Sequence, residues 1–168
     1  PRTGGSSVEK LIWQSKRDKN EKNLWMGFID EFSNKYQTGG LQHLLGKQIK
    51  TEVGPKIYDQ FYKFTIVRNP FDKIVSQYLY MNKRNDLRKY IDMPEDTSFK
   101  EYIDLINMKR HVQWEPQHKF ILDENDKLIV DFIGRFESFE KDVRRILKQI
   151  GKNKIFFGLI NKKIPHLN

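Results

Sequence analysis

The stretch FYKFTIVRNPFDKIVSQYLY, residues 61–80, constrains the fold more than any other part of the chain. Its first seven residues, 61–67, are rich in aromatic and β-branched side chains and predict a strand. The strand runs into Arg68-Asn69-Pro70, and Pro70 suits a first helical turn, where its missing N–H would be unpaired in any case. Phe71, Ile74, Val75, Tyr78 and Leu79 then recur at helical spacing and predict an amphipathic helix with that stripe turned inward.

The rest of the chain supplies elements to pack around this unit. Gly4 to Ser7 is a small-residue turn followed by Val8, Leu11 and Ile12, the start of a short helix. Residues 16–23 (KRDKNEKN) lack apolar periodicity and read as an exposed loop. A helix over 24–36 carries Leu24, Phe28, Ile29 and Phe32 on one side, and Gly39-Gly40 separates it from a second over 41–53. That second helix has Leu41, Leu44, Leu45, Ile49 and Val53 as its stripe and stops at Gly54-Pro55. A weaker helix covers 98–108, a second strand 128–133 (LIVDFI), and a last helix 138–150, ended by Gly151. Helices alternating with apolar strands argue for an α/β domain with a mainly parallel sheet. Ligands of such sheets sit beyond the carboxyl ends of the strands.

Composition narrows what such a domain would bind. With 168 residues it fits one domain with its own core. Its 31 Lys and Arg against 22 Asp and Glu give a net charge of +9, so anions are the natural partners. Cysteine is absent, which removes thiolate chemistry, Cys-based zinc sites and disulfides. No apolar run reaches the ~20 residues of a membrane span. These two absences point to a bacterial or viral cytoplasmic protein, with a trimmed Golgi-lumen domain as the alternative. The opening Pro1-Arg2-Thr3-Gly4-Gly5 reads like the middle of a motif, and Pro165-His166-Leu167-Asn168 is an abrupt stop, so flanking sequence is expected at both ends.

Two segments have the composition of anion sites. In Arg2-Thr3-Gly4-Gly5-Ser6-Ser7 the glycines allow close backbone approach and the following helix start aims N–H groups outward. Thr3, Ser6 and Ser7 add hydroxyls and Arg2 a forked cation. The GxxxxGK[ST] phosphate loop is not present, and an ordinary Gly-Gly-Ser turn is the competing reading. In the second segment Arg68 closes the strand, and Ser76, eight residues on, falls on the polar side of the helix, away from its apolar stripe. The two together would grip one phosphate from two sides; singly they are a solvated arginine and an unremarkable serine.

Taken jointly, the Pro-basic-Thr-Gly-Gly-Ser-Ser loop and the strand–Arg–x7–Ser–helix element resemble the sulfotransferases that use 3′-phosphoadenosine 5′-phosphosulfate (PAPS). The nearest branch is the carbohydrate type, related to heparan sulfate 2-O-sulfotransferases and their bacterial relatives. FTIVRNPFDKIVSQY (64–78), Pro116-Gln117, VDFIGRFESFEKD (130–142) and the closing PHLN match it as well. The resemblance implies a single sulfotransferase domain over 1–168 with a P-loop-like three-layer sandwich, short of its first strand and its C-terminal tail. It implies that Arg2, Thr3, Gly4, Gly5, Ser6 and Ser7 hold the 5′-phosphosulfate, and that Arg68 and Ser76 hold the 3′-phosphate. The small-molecule donor PAPS would be the co-substrate, a carbohydrate hydroxyl the acceptor, with no metal, no nucleic acid and no membrane segment involved. Arg2 departs from the lysine usual in that loop, which keeps the charge but not the compact ammonium.

Sulfuryl transfer needs in-line positioning and stabilisation of the leaving oxygen, and the acceptor hydroxyl needs a base. His43, between the two anion segments and opposite the apolar stripe of its helix, is the first candidate, alongside Arg2 as the leaving-group cation; its competing reading is a surface histidine. His118 is second, His111 reads as a loop residue, and the resemblance puts His166 in a loop over the nucleotide. Glu137 reads as a helix cap or ion-pair partner as readily as a catalytic group. Trp13 and Trp114 read as core or rim aromatics. Three other readings remain open: a nucleotide kinase, opposed by the missing Lys-Ser/Thr pair; a nucleic-acid or heparin binder, opposed by cations spread along the chain; and a nucleotide- or polyanion-binding sulfotransferase-like domain without activity, favoured by Arg2.

Overall fold

The structure, a computed structural model, describes residues 2–12 and 43–152. The loop expected over 16–23, the helix over 24–36, the Gly39-Gly40 break, Trp13 and the closing segment with His166 lie outside the described residues. In chain order the described elements are α1 (Gly5–Ile12), α2 (Gly46–Val53), α3 (Pro55–Gln60), β1 (Phe64–Val67), α4 (Pro70–Met81), α5 (Asn85–Tyr90), α6 (Phe99–Met108), β2 (Phe132–Arg135) and α7 (Phe139–Gln149). Short 3-10 turns cover Val112–Trp114, Gln117–Phe120 and Phe136–Ser138.

β1 and β2 pair in parallel, Phe64 opposite Phe132 and Val67 opposite Arg135. This mix of helices with a parallel strand pair is the α/β arrangement expected from the alternation of elements. Both strands are shorter than their apolar runs. Lys63 donates its N–H to the Asp131 carboxylate at 2.7 Å while its carbonyl accepts from the N–H groups of Asp131 and Phe132. Regular pairing therefore begins only at Phe64, and Phe61 stays exposed. Leu128, expected to open the second strand, instead bridges antiparallel to Leu122 across a tight turn. The Asp123 carboxylate accepts from the N–H groups of Asn125 and Lys127 within it.

The described residues form two hydrophobic cores, the first of them around the strand pair. The first gathers Val8 and Leu11 of α1, Ile66 of β1, and Phe139, Val143, Ile146 and Leu147 of α7. The second gathers Met81, Leu87, Ile91, Met93, Tyr102 and Ile106, from α4 through α6. α6 starts on Ser98, whose hydroxyl and backbone N–H are both tied to Glu101. α7 ends before Gly151 at φ 73°.

Two helical expectations also need correction. The helix expected over 41–53 begins only at Gly46; the Leu45 N–H is capped by Gln48 Oε1 at 2.8 Å, and His43 sits before it in a turn at φ 64°. α4 is also rotated relative to its predicted stripe. It buries Lys73, Gln77 and Met81, while Phe71, Val75 and Leu79 remain 79%, 45% and 58% exposed. The cause is packing on both sides of the stripe's edge: Ile74, Tyr78 and Met81 enter the second core, and Lys73 reaches the Glu115 carbonyl at 3.3 Å. Among the described residues no helix is long and apolar enough to cross a membrane.

Candidate functional site

The turn before α1 is wound tightly against the first core. Arg2 has φ 60° and Gly4 φ 82°, and the Gly4 carbonyl accepts from the N–H groups of Ser7 and Val8 at 3.0 and 3.1 Å. Gly4 lies on aromatic rings: a Cβ there would stand 2.4 Å from Phe139 Cε2. Such packing presses the backbone onto the core and leaves the first amides of α1 to face outward.

The junction of β1 and α4 is held by side chains. The Gln117 amide brackets the peptide of Arg68: its Oε1 accepts from the Arg68 N–H at 2.8 Å and its Nε2 donates to the Arg68 carbonyl at 2.7 Å. Glu137 Oε1 accepts from the Asn69 N–H at 2.6 Å. Asn69 Oδ1 accepts from the N–H groups of Phe71 and Asp72 and caps α4, with Pro70 in its first turn. The Asn69 N–H, with the nearby Arg135 and Arg68 charges, holds the Glu137 carboxyl below the usual carboxylate range, so it is ionised at neutral pH.

The two segments meet. Arg2, Gly4, Gly5, Ser6, Ser7, Arg68 and Phe136 line one cavity of about 80 Å³. The Arg68 guanidinium lies over the Phe136 ring, 4.4 Å from its centroid, and its buried Nε has no hydrogen-bond partner. Arg2 donates from Nε to Ser76 Oγ at 3.1 Å and stacks on Tyr80, 4.6 Å from the ring centroid. Burial pulls the Arg2 pKa down, Tyr80 opposes this, and the adjacent Arg68 charge adds to it. Two guanidinium groups in one small enclosure repel each other, and an anion between them would relieve both the repulsion and the unmade hydrogen bond.

Of the residues singled out in the sequence, Arg2, Gly4, Gly5, Ser6, Ser7 and Arg68 line this cavity, and Ser76 joins it through Arg2. Thr3 sits within the same turn but not among the lining residues. His43 is also apart from the lining. Burial, reinforced by the charges of His111 and Arg84, draws its imidazole down from 6.5 to about 4, so it is neutral at pH 7. His118 is exposed on the Gln117–Phe120 turn. His111 takes a structural part: its Nδ1 accepts from the Gln113 N–H at 3.2 Å, and its ring packs on Trp114 and Tyr90. Trp114 packs on the second core. Among the described residues no group of His, Asp or Glu is placed to hold a metal ion.

Sequence reasoning assigned no part to Phe136, Tyr80 or Gln117. Phe136 and Gln117 fall in segments that stood out for their resemblance, which was the signal available for them. Tyr80 lies four residues beyond Ser76, so a helical wheel places both on the face that meets Arg2.

The model of the Sulfotransferase family matches residues 5–167. An uncharacterised protein of Archaeoglobus fulgidus is 36% identical over 109 residues, 61% of this chain and 78% of that protein. No solved structure matches.

Proposed function

The chain belongs to the sulfotransferase family, and from that premise we propose that it transfers a sulfuryl group from PAPS to a hydroxyl of a carbohydrate-like acceptor. The observation that carries the donor assignment is the buried, unpartnered Arg68 Nε in a cavity shared with Arg2 and the first residues of α1. In this reading the described elements belong to a P-loop-like three-layer sandwich. Arg2, Thr3 and the Gly4–Ser7 backbone hold the 5′-phosphosulfate, while Arg68 and Ser76 hold the 3′-phosphate.

The acceptor oxygen attacks sulfur in line as the bond from sulfur to the bridging phosphate oxygen breaks. The negative charge that develops on the leaving 5′-phosphate falls to Arg2 and the α1 amides, which need little reorganisation. The acceptor proton passes to His43. Its imidazole is neutral at pH 7 and so can accept a proton.

A second reading, a donor-binding domain without turnover, is favoured by the state of Arg2. Its guanidinium is already engaged with Ser76 and Tyr80, so it is less free than a lysine ammonium to follow a leaving oxygen.

Calorimetric titration with 3′-phosphoadenosine 5′-phosphate tests the donor site. Micromolar binding that exceeds that of 5′-AMP and is lost in Arg68→Ala supports it; a folded wild type that binds neither nucleotide refutes it. Transfer of labelled sulfate to glycan acceptors then separates the two readings. Turnover by the wild type favours the enzyme, whereas turnover that appears only in Arg2→Lys favours the inactive domain.

A further inference from the structure

We infer that Gln117 is a positioning residue for the donor's 3′-phosphate, acting through the backbone of Arg68. The inference rests on the donor reading above and adds a residue that never touches the nucleotide.

β2 pairs with β1 only as far as Val67 opposite Arg135. Arg68, one residue later, has no strand partner in that register, yet its N–H and C=O are both satisfied by one side chain. A carboxamide carries a donor and an acceptor in the spacing of a peptide group, so Gln117 does here what a residue of a neighbouring strand would do. With Asn69 held by Glu137, the peptide units on both sides of Arg68 Cα are pinned. That fixes the direction in which the arginine leaves the chain, over Phe136 and into the cavity.

Gln117 is itself well anchored. Lys73 of α4 donates to the Glu115 carbonyl at 3.3 Å, and the Glu115 carboxylate pairs with Lys119 at 2.7 Å, fixing the turn on both sides of Pro116. Its side chain is outside the cavity lining, so any effect on ligand passes through Arg68. A single-donor replacement would leave a polar group of the Arg68 peptide unpaired and let the arginine swing.

The test is the ratio of dissociation constants for 5′-AMP and 3′-phosphoadenosine 5′-phosphate, which isolates the 3′-phosphate. In Gln117→Leu that ratio is expected to fall about tenfold or more, equivalent to ~1.4 kcal/mol, with the affinity for 5′-AMP little changed. Arg68→Ala is expected to fall to the same level, and the double variant no further, because one residue works through the other. Gln117→Glu keeps the acceptor but loses the donor, and should lie between wild type and Gln117→Leu. If Gln117→Leu does not fold, Gln117→Glu decides by the same ratio. A folded variant with the wild-type ratio, or losses that multiply in the double variant, overturns the inference alone. A wild type with no preference for the 3′-phosphate overturns the donor reading beneath it.

Discussion

Gly4 combines a positive φ with an aromatic ring where a side chain would go. Gly4→Ala therefore meets backbone strain and steric overlap together. It is expected to lower stability by about 1–3 kcal/mol and to weaken nucleotide binding, both measurable by thermal unfolding with and without 3′-phosphoadenosine 5′-phosphate. His43 makes a separate prediction about pH. Its folded imidazole titrates near 4 and its unfolded one near 6.5. Between those values the unfolded chain binds more protons, so stability rises with pH and is lost as pH falls from 6.5 towards 4. Glu137 and Asp131, whose carboxyls are held low, lose their contribution only below their unfolded values, near 4.5 for the glutamate and 3.8 for the aspartate. Denaturant midpoints at pH 7 and pH 5 should thus drop further for wild type than for His43→Asn. If His43 is the base, the acid limb of kcat/KM should lie near 4 in the free enzyme rather than near 6.5; an unchanged acid limb in His43→Asn would assign the proton elsewhere. The cations and glycines of the site were readable because their chemistry is intrinsic to the residue type. Phe136 was not, since a platform for a guanidinium is defined only by what lies over it.

Among the elements, α4 and α6 offer a matched comparison, because each begins on a side-chain cap. Asn69→Ala and Ser98→Ala should each cost about 1 kcal/mol in chemical denaturation. Only Asn69→Ala should also weaken 3′-phosphoadenosine 5′-phosphate, since Asn69 continues the Arg68 turn while Ser98 caps a helix of the second core. Equal effects on binding would show that the cap at Asn69 serves stability alone. Periodicity located α4, α6 and α7 because a sustained apolar repeat outweighs local noise. It misjudged which flank of α4 is covered, as Lys73 and Gln77 are buried beside Phe71, Val75 and Leu79 that are not. Hydrophobicity cannot register a lysine stem laid over a core with its ammonium on a carbonyl. The late start of α2 has a similar cause: Leu44 is buried from outside the helix, so its apolar spacing mimics a helical stripe it does not join.

For the molecule as a whole, the Arg2 contacts link the turn before α1 to α4. Gly4 lies against Phe139 of the first core, while Arg2, two residues before it, contacts Ser76 and Tyr80 of α4, which packs into the second. A bound donor would tie the two together. At one hundred times its Kd, 3′-phosphoadenosine 5′-phosphate should raise unfolding free energy by about 2.7 kcal/mol, with a smaller gain at high salt as the paired charges are screened. A ligand that leaves the melting temperature unmoved at saturation would contradict this. The family was legible from motif spacing, whereas the pairing of β1 with β2 was not. Each strand alone is a short apolar run, and only the completed fold decides its neighbour.

The contacts that shape the cavity join residues far apart in the chain: 74 residues from Arg2 to Ser76, 68 from Asn69 to Glu137, 49 from Arg68 to Gln117. Chain closures of that length are slow and come after local helical contacts such as those among α4, α5 and α6. During folding the protein should therefore gain helix well before it gains affinity. On the donor reading proposed above, a nascent or partly opened molecule would be helical yet unable to bind 3′-phosphoadenosine 5′-phosphate, and binding would report that the last long closure is complete.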